Sequence, residues 1–151
     1  MTSKRPAWSA LAEPLHAASA GLTTLGDRAL VPLGFTFAQW RVLVALEGAG
    51  AARVSDLVEA LAHDQAALSR LVARLEAAGL VRRVQVPGDA RAARLLLTTR
   101  GELAVRAGRR RLASVLGRLT APFSGTERAQ LQGLLGRLSA RIRAASGAPA
   151  P

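Results

Sequence analysis

The sequence predicts a mainly α-helical chain carrying one small β-hairpin. Three observations carry that reading: apolar residues recur every three or four positions along both ends of the chain, helix-capping pairs stand at Thr36/Gln39 and Ser124/Glu127, and two short Val- and Leu-rich segments flank a Pro87-Gly88-Asp89 turn cluster. With 151 residues, 50% hydrophobic and 21% charged, the chain has the length of one ordinary domain and enough apolar material to bury a core.

Trp8, Leu11, Leu15, Ala18, Leu22, Leu25 and Ala29 alternate spacings of three and four, so they form one stripe of a first helix. Pro14 marks its start or kinks it, and Pro32 with Gly34 ends it. Thr36 and Gln39 then form a capping box, with Phe35 and Trp40 at the positions of a hydrophobic staple, which predicts a helix from Phe37 to Glu47 closed by Gly48 and Gly50. A short helix near Ser55 to Ala62 follows. Asp64 caps a longer one from Gln65 to Ala78, stopped by Gly79, and two helices joined by so tight a turn make a helix-turn-helix. Leu80 to Val86 and Ala93 to Thr98 read as the hairpin strands. Thr98 or Thr99 caps a basic helix reaching Leu119, Pro122 breaks it, and the Ser124/Glu127 box opens a last helix bearing Leu131, Leu134, Leu135, Leu138 and Ile142. The small-residue, Pro-containing end frays.

A helix-turn-helix followed at once by a hairpin is a winged helix-turn-helix, here flanked by terminal dimerisation helices. This divides the chain into 1–35, the amino-terminal part of a dimerisation region; 36–100, the winged unit; 101–146, the carboxy-terminal dimerisation helices; and 147–151, a disordered tail. The stripes at both chain ends exceed what one small winged domain covers. A two-fold dimer buries them most simply, the alternative being packing within the monomer.

Charge points to the partner. Twenty-one Lys and Arg against ten Asp and Glu give +11, and the excess grows along the chain: +1 over residues 1–50 (four basic, three acidic), +3 over 51–100 (eight, five) and +7 over 101–151 (nine, two). A polyanion is the natural partner of such a chain, and its globular patterning favours nucleic acid over a membrane surface. The absence of cysteine excludes disulfides, thiolate zinc sites, cysteine nucleophiles and thiol-based peroxide sensing. No uncharged stretch reaches the roughly 20 apolar residues of a membrane helix, and no secretory signal pattern stands at the start, so the expected location is the cytoplasm.

The order of elements and several strings resemble the MarR (multiple antibiotic resistance regulator) family of winged-helix transcription factors. The strings are Gln39-Trp40-Arg41-Val42-Leu43, Asp56-Leu57, Ser69-Arg70-Leu71-Val72 continuing through Arg74-Leu75-Glu76 to Gly79-Leu80-Val81, then Asp89-x-Arg91, Leu95-x-Leu97-Thr98 and Gly101. The resemblance implies a homodimer that sets one recognition helix per subunit into successive major grooves of a pseudo-palindromic operator, with the wings in the flanking minor grooves. Near the amino end of that helix, Gln65, Ala66, Ser69 and Arg70 are the residues to face base edges. Gln matches adenine, Arg forks onto guanine and Ala meets a thymine methyl. Many relatives carry Ser or Thr where this chain has Ala66 and Ala67, which throws weight onto Gln65 and Arg70. Arg91 resembles the family's minor-groove arginine and Asp89 the carboxylate that orients it. Arg74 and Arg94 are backbone-contact candidates, as are Arg82 and Arg83, for which a solvated basic face is the better reading.

Catalysis finds no footing: His16 and His63 lie far apart, neither has paired carboxylates beside it, and no glycine-rich phosphate loop follows a strand. The sequence calls for no metal and no cofactor. The resemblance further implies a small, often aromatic or phenolic effector bound between the dimerisation helices and the winged unit, lowering DNA affinity. His16, Phe37, Trp40 and Arg41 are conceivable lining residues, although two aromatics at a capped helix start more simply anchor a core. The expected function is therefore a sequence-specific, ligand-released repressor; a ligand-independent architectural DNA binder is the alternative.

Overall fold

The computed structural model describes the backbone of residues 7–61, 64–86 and 89–145 and the side chains of 10–61, 64–85 and 93–145. His63 and the 147–151 tail lie outside these residues.

Among the described residues, six α-helices and one hairpin follow in the order the capping signals dictate. Helix α1 (Ala7–Leu30) runs through Pro14 instead of starting there. The carbonyl of Ala10 that Pro14 deprives of a partner sits on a wholly exposed stretch of the helix, where water serves it. A 3-10 turn, Val31–Leu33, with Pro32 in its first positions, ends at Gly34, whose φ of 85° is the left-handed conformation that favours glycine. Both bonds of the Thr36/Gln39 box are formed, Gln39 N donating to Thr36 Oγ1 at 3.2 Å and Thr36 N to Gln39 Oε1 at 2.8 Å. They open α2 (Phe37–Ala49), which passes through Gly48 and closes at Gly50.

Helix α3 (Val54–Leu61) leads to α4 (Gln65–Ala77), whose first turn is capped by Asp64 accepting from Ala67 N at 2.9 Å. The chain leaves α4 through a Schellman exit: Leu80 N donates to Leu75 O and Gly79 N to Glu76 O, each at 2.9 Å. Strands β1 (Val81–Val86) and β2 (Asp89–Leu97) pair antiparallel from Val81 opposite Leu97, with an irregularity between Gln85 and Val86. β2 starts at Asp89, four residues before the expected Ala93, because the short connection leaves Asp89 already opposite Val86. Ala52 adds a one-residue third strand, exchanging both backbone bonds with Leu95 at 3.1 and 2.8 Å.

Thr98 caps α5 (Thr99–Thr120) and simultaneously donates its hydroxyl to Gly79 O at 2.7 Å, tying the start of α5 to the exit of α4. The Ser124/Glu127 box opens α6 (Gly125–Ala145), with Ser124 N donating to Glu127 Oε2 at 2.7 Å. That backbone N–H, then the Ser124 hydroxyl, hold the Glu127 carboxyl below the usual carboxylate range.

One core joins α2, α3, α4, the hairpin and the first half of α5 through Leu43, Leu46, Leu57, Leu68, Val72, Leu75, Leu95 and Val105, all at most 2% exposed. Helix α6 contributes no residue to it. Its stripe of Leu131, Leu134, Leu135, Leu138 and Ile142 stays between 39% and 59% exposed. No single helix among the described residues is long and apolar enough to cross a membrane.

Candidate nucleic-acid interface

Helix α4 is divided cleanly by the 100° turn per residue. Leu68, Val72 and Leu75 fall on one arc and are fully buried, whereas Ala66, Ser69, Arg70, Ala73 and Arg74 fall on the remaining face and are exposed; Gln65, beside the buried arc but in the first turn, is exposed as well. The buried arc fixes the helix rotation. A one-residue slip would carry Leu68 and Val72 out of the core, each such loss worth about 1.5–3 kcal/mol, so the polar arc is presented in one orientation only. Neither Arg70 nor Arg74 has a side-chain partner among the described residues, which leaves both guanidinium groups available to an anionic partner.

The hairpin behaves differently from position to position. Arg83 Nε bonds both oxygens of Glu76 at 3.0 and 3.1 Å, so this arginine is spent on fastening β1 to α4. Arg82 and Arg94 are exposed, Arg94 standing opposite Val84 in the ladder. Asp89 and Arg91 belong to β2 by their backbone; their side chains lie outside the described residues.

The four residues suggested for a ligand pocket do not converge. Phe37 and Trp40 stack with ring centroids 6.0 Å apart and pack against the core. Trp40 Nε1 donates to Val105 O at 3.4 Å, and Phe37 N donates to Asp27 Oδ1 at 2.7 Å. Arg41 is exposed on α2 and His16 on α1, the latter about 15 Å along the helix axis from the turn that meets Phe37. A cleft of about 350 Å³ does open between α1 and α5, lined by Leu25, Ala29, Val115 and Leu119 with Arg28 and Arg118. None of the four suggested residues lines it.

Two contacts escaped the sequence reading. Arg109 on α5 pairs with Glu47 on α2, a partnership across 62 residues that carries no local signal. Gly108 lies against the Trp40 indole so closely that a Cβ there would overlap it. A glycine inside a helical pattern is a signal of close approach, and this one went unread.

Comparison with known proteins agrees with this geometry. The MarR family profile matches residues 33–92, which span the helix-turn-helix and most of the hairpin. The chain is 30% identical to a probable transcriptional regulator from Pseudomonas aeruginosa, the match covering 85% of this chain and 96% of that one with a TM-score of 0.76. This chain belongs to the MarR family. Wild-type MarR from E. coli in its apo form is 29% identical, with 85% and 95% of the two chains covered and a TM-score of 0.75. A mutant of E. coli MarR complexed with operator DNA matches at 29% identity, 85% and 92% coverage and a TM-score of 0.77. Among curated proteins no sequence match is found. The MarR fold here is mostly helical with one two-stranded antiparallel hairpin, and the protein is a winged helix-turn-helix transcriptional regulator.

Proposed function

We propose that this MarR-family protein is a cytoplasmic homodimeric repressor that binds a pseudo-palindromic DNA operator and is released from it by a small apolar or aromatic anion. The observation that carries the DNA-binding part is the unpaired, exposed arc of α4, held in a single rotation by Leu68, Val72 and Leu75. Gln65 and Arg70 are its base readers, Ala66 and Ser69 its close-approach positions, and Arg74 and Arg94 its phosphate contacts. Arg91 enters the minor groove, oriented by Asp89. That a mutant of E. coli MarR, 29% identical to this chain, forms a complex with operator DNA supports the DNA-binding part of this reading.

The dimer reading rests on α6. A 21-residue helix that buries none of its apolar residues is marginal on its own in water, so a surface as apolar as its stripe needs a partner. The spacing of Leu131, Leu135, Leu138 and Ile142, four then three then four, is a coiled-coil seam that a second copy matches by symmetry. On this reading 1–35 and 101–146 form the dimer arms and 36–100 the DNA-binding unit.

The effector part rests on the α1–α5 cleft, where an apolar floor meets the guanidinium groups of Arg28 and Arg118. That combination suits an aryl acid or a phenolate. Because the chain has no cysteine, thiol oxidation cannot operate the switch, and control falls to reversible binding. A ligand preferring the DNA-incompetent dimer by about 1.4 kcal/mol lowers operator affinity tenfold. A panel of aromatic acids and phenols, read by thermal shift and operator release, is expected to contain compounds that do both, while moderate peroxide leaves operator binding intact. Insensitivity across the whole panel would favour the constitutive architectural binder.

A further inference from the structure

Helices α1 and α5 each belong to both halves of the molecule, α1 through its last residue, Leu30, which is fully buried in the common core. The first part of α5, Gly101 to Leu112, is buried in the winged unit's core, and its last part, with Leu116 and Leu119 about half exposed, continues toward α6. The orientation of the winged unit on the dimer arms is therefore decided where α2 meets these two helices. On α5 the polar and closest contacts with α2 fall within one turn, Val105 to Arg109. Trp40 donates to Val105 O and covers Gly108, and Glu47, two turns further along α2, pairs with the next residue, Arg109.

The same aromatic pair also meets the other arm. Phe37, stacked on Trp40 with the rings 17° from parallel, lies on Gly26 of α1, where a Cβ would come within 2.7 Å of the ring. Phe37 and Trp40 thus form a two-ring spacer bordered by a glycine of α1 on the Phe37 side and a glycine of α5 on the Trp40 side. Two of the chain's five aromatic residues are used here. Elsewhere in the arms, Gly21, Gly117, Gly133 and Gly136 have nothing within 4 Å of an added Cβ, so close approach is confined to the glycines at this spacer and to Gly101, which abuts Leu80 O. A rigid two-ring block seated in two glycine notches transmits angle without slack, because interiors are close-packed and do not deform continuously.

We propose that the Gly26–Phe37–Trp40–Gly108 stack is the joint that sets the pitch of the winged unit on the dimer arms, and so fixes the half-site separation the protein accepts. This inference rests on the two-fold operator reading above. Residues that touch no DNA then determine specificity: a shift of either notch moves the two α4 helices relative to each other while leaving each α4 surface unchanged.

The test is binding to a spacing series, in which the two half-sites of the operator are separated by the native distance or by one or two base pairs more or fewer. Wild-type protein is expected to prefer one spacing by at least about tenfold, since dimers read half-sites held one helical turn apart. Gly108→Ala is expected to remain dimeric by sedimentation, to lose about tenfold on the native spacing and to shift its optimum along the series, the added methyl prising α5 from Trp40. Trp40→Phe, which withdraws ring bulk from the notch, serves as the second variant should the methyl prevent folding, and is expected to flatten the spacing preference. Combining the two substitutions should restore part of the native preference. Folded, dimeric single variants with the wild-type spacing profile would overturn the joint while leaving the two-fold reading intact. A wild-type protein indifferent to spacing would overturn the two-fold reading, and the joint with it.

Discussion

Replacing Leu135 by Glu is expected to convert the protein to a monomer at micromolar concentration and to remove operator binding with it. Leu135 is 44% exposed in the middle of the α6 stripe, between Leu131 and Leu138, so in a two-fold seam it is covered by the partner. Symmetry places the substitution in the interface twice. Each copy loses the burial of a leucine, about 1.5–3 kcal/mol, and adds the desolvation of a carboxylate that finds no partner on an apolar stripe. DNA binding falls in step because the second half-site is engaged at a high effective concentration only while the subunits are joined, a gain of roughly 10²–10⁴-fold that a monomer forfeits. Sedimentation and operator titration on the same preparation check both halves. Circular dichroism should show the winged unit intact, since α6 gives no residue to its core. A variant that remains dimeric would place the subunit contact elsewhere.

Arg70→Ala is expected to weaken binding to the preferred operator by about 1–3 kcal/mol and to relax preference at one base pair in each half-site. The guanidinium stands on the exposed arc of α4, has no partner among the described residues and sits within the first two turns of a helix held by the Asp64 cap. A forked donor in that position discriminates guanine, so its removal is felt most on the best sequence. Arg74, one turn further on, supplies the internal contrast: Arg74→Ala should weaken all sequences alike and reduce the salt dependence, as loss of a phosphate contact does. Uniform weakening by Arg70→Ala would reassign it to the backbone class.

Much of this architecture was legible because it is written locally. Capping boxes at Thr36/Gln39 and Ser124/Glu127, the Asp64 cap and the Gly79 exit depend on residues three to five apart, and all are formed as the spacing predicts. The exposed arc of α4 was equally readable, since the apolar period that buries Leu68, Val72 and Leu75 also dictates what faces away. What was not legible is long-range or aperiodic. Ala52 joins the sheet through a single residue, which has no period to detect. The pairing of Glu47 with Arg109 depends on how α2 crosses α5. A core role for Phe37 and Trp40 was the simpler reading of two aromatics at a capped helix start, but their packing against Gly26 and Gly108 is a tertiary feature that no local spacing announces. The cleft between α1 and α5 is assembled from Leu25, Arg28 and Val115 with their neighbours, aliphatic and basic positions unremarkable in sequence.

A footprint of the protein on the DNA flanking its own gene shows whether a joined pair of α4 helices reads a two-fold site. The expected result is a bounded protected region containing a pseudo-palindrome, its two halves centred about one helical turn of DNA apart, occupied by one dimer and lost with Leu135→Glu. Weak protection spread evenly along the fragment, without half-sites and unchanged by Leu135→Glu, would contradict it.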